Sequence, residues 1–375
     1  MDPVKLSCNR RMLHEALQHV SRVVSGRTTL PILSNVLLEA MNGRLRLVAY
    51  DMEIGAQSAV PVEVAEEGAI TVPARMLGDV VASLPEATVV LRAEEKHRLG
   101  LTCGRSQYTI HGLPAEEYPT LPEVSGDIWF EITQAGMRDL IRSTIFAAST
   151  DETRAILTGV LLKRDTGGVK MVATDSYRLA VKTAPADVIK GDSGKDDWQV
   201  IIPARALQEL NRMLDPSAEE TQARVSAGEQ QMRFEVGPYM LVSRLIEGQF
   251  PNYERVIPTE SNRKIVVDRE ELQGAIKRAA IVARAEASKL VFRTQEGQLT
   301  ITAESGDVGQ AREELPAQVE GEELEIAFNA EYLADVLGVI GSQRVVWEMT
   351  GPLSPGLLKG EDDPDYIYIA MPMQL

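Results

Sequence analysis

Two segments of this chain align without a gap. LPILSNVLLEAMNGRLRLVAYD (residues 30–51) and RAILTGVLLKRDTGGVKMVATD (residues 154–175) share IL-x-x-VLL, a glycine-containing turn and V-A-x-D. A weaker third copy, SKLVFRTQEGQLTITAES, covers residues 288–305. Such self-similarity narrows the choice of fold more than composition does, because each copy must be one recurring structural unit. Every copy alternates apolar and polar residues on both sides of a polar turn, the pattern of a β-hairpin.

A second landmark recurs in step. TVPARMLGDVVASLP (71–85), IIPARALQELNRMLDP (201–216) and AFNAEYLADVLGVIGS (327–342) each run from strand into helix. Apolar residues at Leu77, Val80, Val81 and Leu84 keep helical spacing on one face, as do Leu207, Leu210 and Leu214, and Leu333, Val336, Leu337 and Ile340. Ahead of each hairpin lies a further amphipathic helix: RRMLHEALQHVSRVV, GMRDLIRSTIF and REELQGAIKRAAIVA. Asp268 with Glu271 reads as a capping box opening the third. The unit is therefore helix, strands, helix, strands over about 125 residues, a common domain size.

LPAEEYP (113–119) and LIEGQFP (245–251) share an L-x4-[YF]-P form and lead into polar, proline-containing stretches, so both read as linkers. The chain closes on YIYIAMPMQL. By the repeat, Met371-Pro372 falls where Leu113-Pro114 falls, and the apolar tail reads as a shortened linker. The expected domains are 1–122, 127–255 and 256–375.

Composition excludes several classes. Formal net charge is −16, which argues against a surface that simply adsorbs to DNA but leaves room for a local basic stripe. Two cysteines, Cys8 and Cys103, are too few for a disulfide framework or a cysteine-rich metal site. No apolar run reaches the ~18 residues of a membrane span, and MDPVKLSCNRRML lacks the apolar core of a signal peptide. The expectation is a cytoplasmic protein with no membrane partner.

Catalytic motifs are largely missing. GDSGKDD lacks the upstream glycine of a phosphate-binding loop, and HEALQH has Gln18 where a zinc-binding H-E-x-x-H needs its second His. Asp51 and Asp175 could serve as an acid/base pair. An aspartate that ends a strand more simply caps a turn, and the third copy carries Ser305, which also caps turns but is no carboxylate. The acidic EDDPD (361–365) reads as a solvated hairpin loop.

Three similar domains, TLPIL, VATD-x-x-RLA, FPNY-x-RV-P and a final MPM-x-L together resemble the bacterial beta sliding clamp family over the whole chain. The resemblance implies an α+β DNA clamp fold of three tandem similar domains, with helices lining a central hole and antiparallel sheets outside. It implies a head-to-tail homodimer that closes a ring, is loaded onto duplex DNA by an ATP-driven clamp loader, and tethers the replicative DNA polymerase and other partners. No catalysis of its own, no cofactor and no metal are implied. The competing readings are an enzyme using Asp51 or Asp175, and a non-topological DNA-binding scaffold.

A DNA-filled hole calls for basic residues opposite the apolar stripes. Arg138 and Arg142 lie opposite Met137, Leu140, Ile141 and Ile145; Arg75 lies opposite the Leu77 stripe; Arg205 and Arg212 lie opposite the Leu207 stripe. Arg11 and Arg22 in the first repeat and Lys277, Arg278 and Arg284 in the third complete the set. Such contacts to phosphate read no sequence. No aromatic stripe interleaves them for base stacking. The resemblance adds Arg27, just before TLPIL.

It also implies a cleft for short apolar-ended peptides between the second and third domains. By position this draws on Arg154, Ile156 and Leu157 at the second hairpin, and on Thr174, Ser176, Tyr177, Arg178 and Leu179 from TDSYRL. Pro251, Arg255 and Val256 come from FPNYERV. The third domain adds Asn329, Tyr332, Leu353, Pro355, Ile369, Met371, Pro372, Met373 and Leu375. A Met-Pro-Met rim suits several partners because thioethers are pliable and polarisable. The dimer contact implied is an edge strand presenting Tyr108 and Ile110, packed against Ile281 and Val282 with Arg105 in flanking ion pairs.

Overall fold

The computed structural model describes residues 4–24, 30–124, 128–191, 197–215, 217–218, 221–284 and 287–375. It separates into two compact units. One holds the chain up to Met137 together with Arg205–Leu245; the other holds Arg138–Ile189 and Ile246–Leu375, with short pieces around residues 190–204 divided between them. The central repeat thus contributes to both.

Six α-helices fall among the described residues, two to a repeat: α1 (Arg10–Ser21), α2 (Ala74–Ser83), α3 (Gln134–Thr144), α4 (Ala204–Met213), α5 (Arg269–Ala283) and α6 (Ala330–Leu337). Their apolar stripes are the buried faces, for example Leu13, Ala16, Leu17 and Val20 in α1. Leu84, Leu214 and Ile340 lie just past helix ends but are still buried. Asn9, Asp268 and Asn329 each accept two backbone N–H groups at a helix start, satisfying donors that have no partner within the helix.

Four antiparallel sheets accompany them. The first unit has a five-stranded sheet ordered Glu63–Glu66, Lys5–Asn9, Thr88–Glu94, Arg98–Cys103, Ser106–His111. It also has an eight-stranded sheet ordered Ile128–Thr133, Gln222–Ala227, Gln231–Val236, Tyr239–Arg244, Ile54–Pro61, Arg44–Tyr50, Asn35–Met41, Gly68–Pro73. The second unit has a nine-stranded sheet ordered Trp198–Pro203, Gly159–Asp165, Gly168–Thr174, Arg178–Pro185, Tyr366–Ala370, Gly356–Gly360, Arg344–Met349, Arg263–Asp268, Gln318–Glu320. Its four-stranded sheet runs Gly309–Pro316, Gln298–Ser305, Lys289–Gln295, Leu324–Asn329.

The two large sheets are each sewn from two repeats at one strand pair. Strand Tyr239–Arg244 pairs with Ile54–Pro61, and Tyr366–Ala370 pairs with Arg178–Pro185. These pairings are equivalent. Strands Ile54–Pro61, Arg178–Pro185 and Gly309–Pro316 each end on a proline opposite the first residue of the preceding strand, at Arg44, Gly168 and Gln298. Each repeat's last strand is followed by a backbone N–H returned to the strand before the second helix. Leu113 donates to the Thr71 carbonyl at 3.0 Å, Ile246 to Ile201 at 2.9 Å and Met373 to Ala327 at 2.8 Å. Met373, not Met371, is therefore the structural counterpart of Leu113. A count along LPAEEYP and the tail missed this because strand register, not motif spacing, fixes the match.

Candidate partner cleft and nucleic-acid surface

The hairpin signature V-A-x-D folds alike in two repeats. Asp51 Oδ1 accepts the N–H groups of Glu53 and Ile54 at 3.0 and 2.7 Å; Asp175 Oδ1 accepts those of Tyr177 and Arg178 at 2.9 and 3.0 Å. Met52 and Ser176, one step on, both take positive φ, 77° and 81°. The turn-capping reading of these aspartates therefore holds. Ser305 departs from expectation: its hydroxyl is buried and has no hydrogen-bond partner.

The second oxygen of each aspartate takes an arginine. Asp51 Oδ2 pairs with Arg205 at 2.5 Å, and Arg205 also donates to the Val23 carbonyl at 3.1 Å. Asp175 Oδ2 accepts from Arg178 Nε at 3.0 Å. Arg178 also donates to Asp335 Oδ2 at 2.5 Å and to the Phe146 carbonyl at 2.6 Å, and it stacks over the Tyr332 ring at 4.4 Å. Burial opposes its charge. The hydrogen bond to Asp335 and the surrounding negative groups outweigh that and hold its pKa above the usual arginine value.

Beside this arginine an open cavity of about 200 Å³ is lined by Thr174, Ser176, Arg178, Leu179, Pro251, Asn252, Tyr253, Val256, Ile369 and Met371. Its floor is an apolar cluster that includes Leu161, Val172, Leu179, Phe250, Tyr253 and Ile369, with Ile156 and Val256 packed against it. The structure brings together eight of the residues named from sequence. Asn252 and Tyr253 were missed. The signal was available: Tyr253–Val256 is a 3-10 helix, where residues three apart share a face, so Val256 brings Tyr253 with it.

Other named residues stand apart from the cavity wall. Arg154 donates to the Asp175 carbonyl at 3.0 Å and to Ser149 at 3.1 Å, at the rim near Ser176. Leu157 is buried, Tyr177 is exposed and Tyr332 lies beneath Arg178. Asn329 is the cap of α6, its oxygen occupied by two backbone donors. Arg255, Leu353, Pro355 and Pro372 do not line the cavity, and Met373 makes the bridge to Ala327. Leu375 borders a separate polar groove with Lys289, Thr302, Glu304, Gln310 and Arg312.

Of the basic residues, Arg22, Arg75, Arg142, Lys277 and Arg284 make no ion pair among the described residues, and all are exposed or half-buried. Arg11 lies 3.8 Å from Glu15, and Arg138 is half-buried with Nε unpartnered. Arg205, Arg212 and Arg278 are already paired, with Asp51, Glu209 and Glu313. Their charge is partly compensated, which sequence periodicity could not reveal. Arg27 lies outside the described residues. No cluster of three potential metal ligands occurs among the described residues, and no helix is long and apolar enough to cross a membrane.

Strand Ser106–His111 is an edge, as expected. Tyr108 and Arg105 are exposed there. Ile110 is not: only 2% of it is accessible, because it packs into the core of its own domain opposite Leu99. The expected apolar face of that strand is thus reduced to Tyr108. At the end of α5, Ile281 is 65% exposed and Val282 half-buried.

Three family profiles match in tandem: the DNA polymerase III beta subunit N-terminal domain over residues 4–122, its central domain over 131–252 and its C-terminal domain over 254–374. The beta sliding clamp of Pseudomonas aeruginosa is 37% identical over 367 residues, covering 98% of this chain and 98% of its own length. That of Synechococcus elongatus is 36% identical over 377 residues, covering 99% and 100%. Among solved structures, the DNA polymerase III subunit beta from P. aeruginosa superposes with a TM-score of 0.93 at 37% identity, covering 99% and 100% of the two chains. The sliding clamp from Bacillus subtilis gives 0.94 at 30% identity, covering 99% of both. With three matching domains in order and relatives similar from end to end, the chain belongs to the DNA polymerase III beta subunit family, the DNA sliding clamps of bacteria.

Proposed function

We propose that two copies of this chain close head to tail into a ring on duplex DNA. One observation carries this reading. Two of three equivalent strand junctions are made within the chain; the third has both halves present and unjoined. Gly309–Pro316 corresponds to Ile54–Pro61 and Arg178–Pro185, and it is an edge. Ser106–His111 corresponds to Tyr239–Arg244 and to the strand at Tyr366–Ala370, and it is an edge as well. Unpaired edges invite pairing with another chain. A heterologous contact that repeats by rotation closes a ring.

Side chains support the same pairing. Tyr108 matches Leu241 and Tyr368, which are 0% exposed in their junctions, whereas Tyr108 is 39% exposed. Counting from the helix starts, Ile281 matches Phe146, whose ring sits 5.9 Å from Tyr368. Ile281 against a second copy's Tyr108 reproduces that contact, with Val282 and Arg105 at its edge.

The domains run over 1–122, 127–255 and 256–375. Duplex DNA meets four of the five unpaired cations, Arg22, Arg142, Lys277 and Arg284, with Arg11 and Arg138 beside them, through non-specific and salt-sensitive contacts. The cavity beside Arg178 takes short apolar-ended peptides from the replicative polymerase, the loader and other partners. The protein works in the cytoplasm as a processivity factor without catalysis of its own.

Two measurements test the reading. Sedimentation at micromolar concentration is expected to give about twice 41.1 kDa. Loaded protein should stay on closed circular DNA and run off linear DNA; equal retention on both overturns the ring. For the cleft, removing residues 371–375 should weaken a fluorescent peptide carrying apolar end residues, with circular dichroism unchanged. Undiminished peptide affinity removes the cleft assignment.

A further inference from the structure

We propose that Arg75 of one copy inserts beside Ser305 and the last turn of α5 of a second copy, as the counterpart of Arg205 in the first intrachain junction; this rests on the ring reading above. In each intrachain junction an arginine joins two things: the aspartate that ends a strand, and a carbonyl at the end of the repeat's first helix. Arg205 links Asp51 to the Val23 carbonyl. Arg178 links Asp175 to the Phe146 carbonyl. Carbonyls at a helix end carry partial negative charge, so the guanidinium is attracted from both sides.

The third repeat has the strand-end residue without the arginine. Its strand-end residue is Ser305, 4% exposed, with a hydroxyl that finds no hydrogen-bond partner. Buried polar atoms without partners are uncommon and call for an explanation. The position that Arg178 holds in the second repeat is Gly309 here, by their place opposite the preceding strand. No arginine of the same repeat occupies that position.

The first repeat has the arginine without the receptor. Arg205 is the second residue of α4, and Arg75 is the second residue of α2, each after the same strand and an Ile/Val-Pro-Ala step. Arg75 is exposed and makes no ion pair among the described residues. If Ser106–His111 joins a second copy's Gly309–Pro316 as Tyr239–Arg244 joins Ile54–Pro61, Arg75 stands to Ser305 as Arg205 stands to Asp51.

The substitution has a consequence. A hydroxyl accepts a guanidinium hydrogen bond more weakly than a carboxylate does. The copy-to-copy clasp is therefore weaker than the Arg205–Asp51 clasp.

The test is subunit exchange between two differently labelled pools, followed by fluorescence transfer in the absence of DNA. Ser305→Asp, which supplies the missing carboxylate, is expected to slow exchange at least tenfold. Arg75→Ala alone should speed exchange several-fold, and in the double variant the gain from Ser305→Asp should vanish. Exchange unchanged by Ser305→Asp, or slowed equally with and without Arg75, overturns the clasp. If Ser305→Asp does not fold by circular dichroism, Arg75→Ala and Arg75→Glu decide. Faster exchange graded Glu over Ala supports it, and wild-type exchange in both overturns it. A wild-type protein that sediments as a monomer overturns the ring and the clasp together, whereas a wild-type dimer without Arg75–Ser305 coupling overturns the clasp alone.

Discussion

The two intrachain junctions share a backbone and differ in what stands on it. In the first, the linker closes the groove beside the hairpin. Tyr118 packs with Leu37, Val48 and Tyr50, and its hydroxyl accepts the Tyr50 N–H at 3.0 Å and donates to the Asn35 carbonyl at 3.2 Å. Burial pushes that phenol up to about 12. Leu121 lies over Gly55, where even a Cβ would come within 2.3 Å of it. In the second junction Phe250 takes the place of Tyr118, but Thr174 stands where Tyr50 stood and Leu179 where Gly55 stood. The groove stays open. Two substitutions on a common frame thus separate a sealed core from a cleft that can take a guest.

The largest expected break of this contrast is Tyr118→Ala. It empties the sealed groove and strands the Tyr50 N–H, at about 3–5 kcal/mol for an aromatic truncation. Urea unfolding of the variant should show this loss; a change under about 1 kcal/mol would mean that the linker is only laid over the sheet. Next in size is a paired test of the aspartates. Arg178 and Asp175 are both largely buried, so Asp175→Ala leaves the cation with Asp335 as its one carboxylate partner and should cost about 3 kcal/mol. Arg205 is 44% exposed, so Asp51→Ala should cost about 1 kcal/mol for the pair. Equal losses would show that burial does not distinguish the two.

Thr174→Tyr tests the open side. A tyrosine there should fill the cleft as Tyr50 fills the first groove, displacing one or two apolar peptide side chains worth ~1.5–3 kcal/mol each. Fluorescence anisotropy should record a loss of about tenfold or more with the melting temperature retained. Wild-type affinity would place the guest elsewhere.

The smallest effect is a pH dependence confined to the first junction. His19 stacks on Tyr239 at 3.8 Å, and its pKa is lowered by burial first and by Arg22 second, against a smaller opposing effect of Glu15. The unfolded chain therefore binds the proton more readily than the folded one. Stability from neutral His19 is present above its unfolded pKa of about 6.5 and is lost as pH falls through the lower folded value. Thermal melts between pH 7.5 and 5 should show a slope that His19→Gln reduces; an unchanged slope assigns it to other groups.

Much of this is legible in the sequence. The gapless repeat carried the hairpins, because alternation and turn chemistry are local. The helix faces followed from spacing alone. What escaped was decided at a distance. Asn329 also caps α6, a role that is recognised only once the helix start is known. Helical spacing puts Arg205 and Arg278 on a polar face but does not show their carboxylate partners, because Asp51 lies 154 residues away from one and Glu313 35 residues from the other. The resemblance puts Ile110 beside Tyr108 on one strand face but does not show what covers that face, and Ile110 is buried by its own domain. Tyr253 does not stand out in a stretch that reads as a linker, because the tight 3-10 turn that sets its face is not visible in the motif.

The central repeat's division between two compact units has a practical consequence for anyone cutting the gene. Boundaries drawn where the sequence repeats are not where the molecule separates. A fragment ending near residue 122 would keep strand Ile54–Pro61 and lose Tyr239–Arg244, its neighbour in the sheet. The bared strand would be an adhesive edge, prone to fibre or aggregate growth. Expression of single repeats should thus yield insoluble material unless that edge is masked, whereas a fragment retaining both halves of a junction should remain in solution.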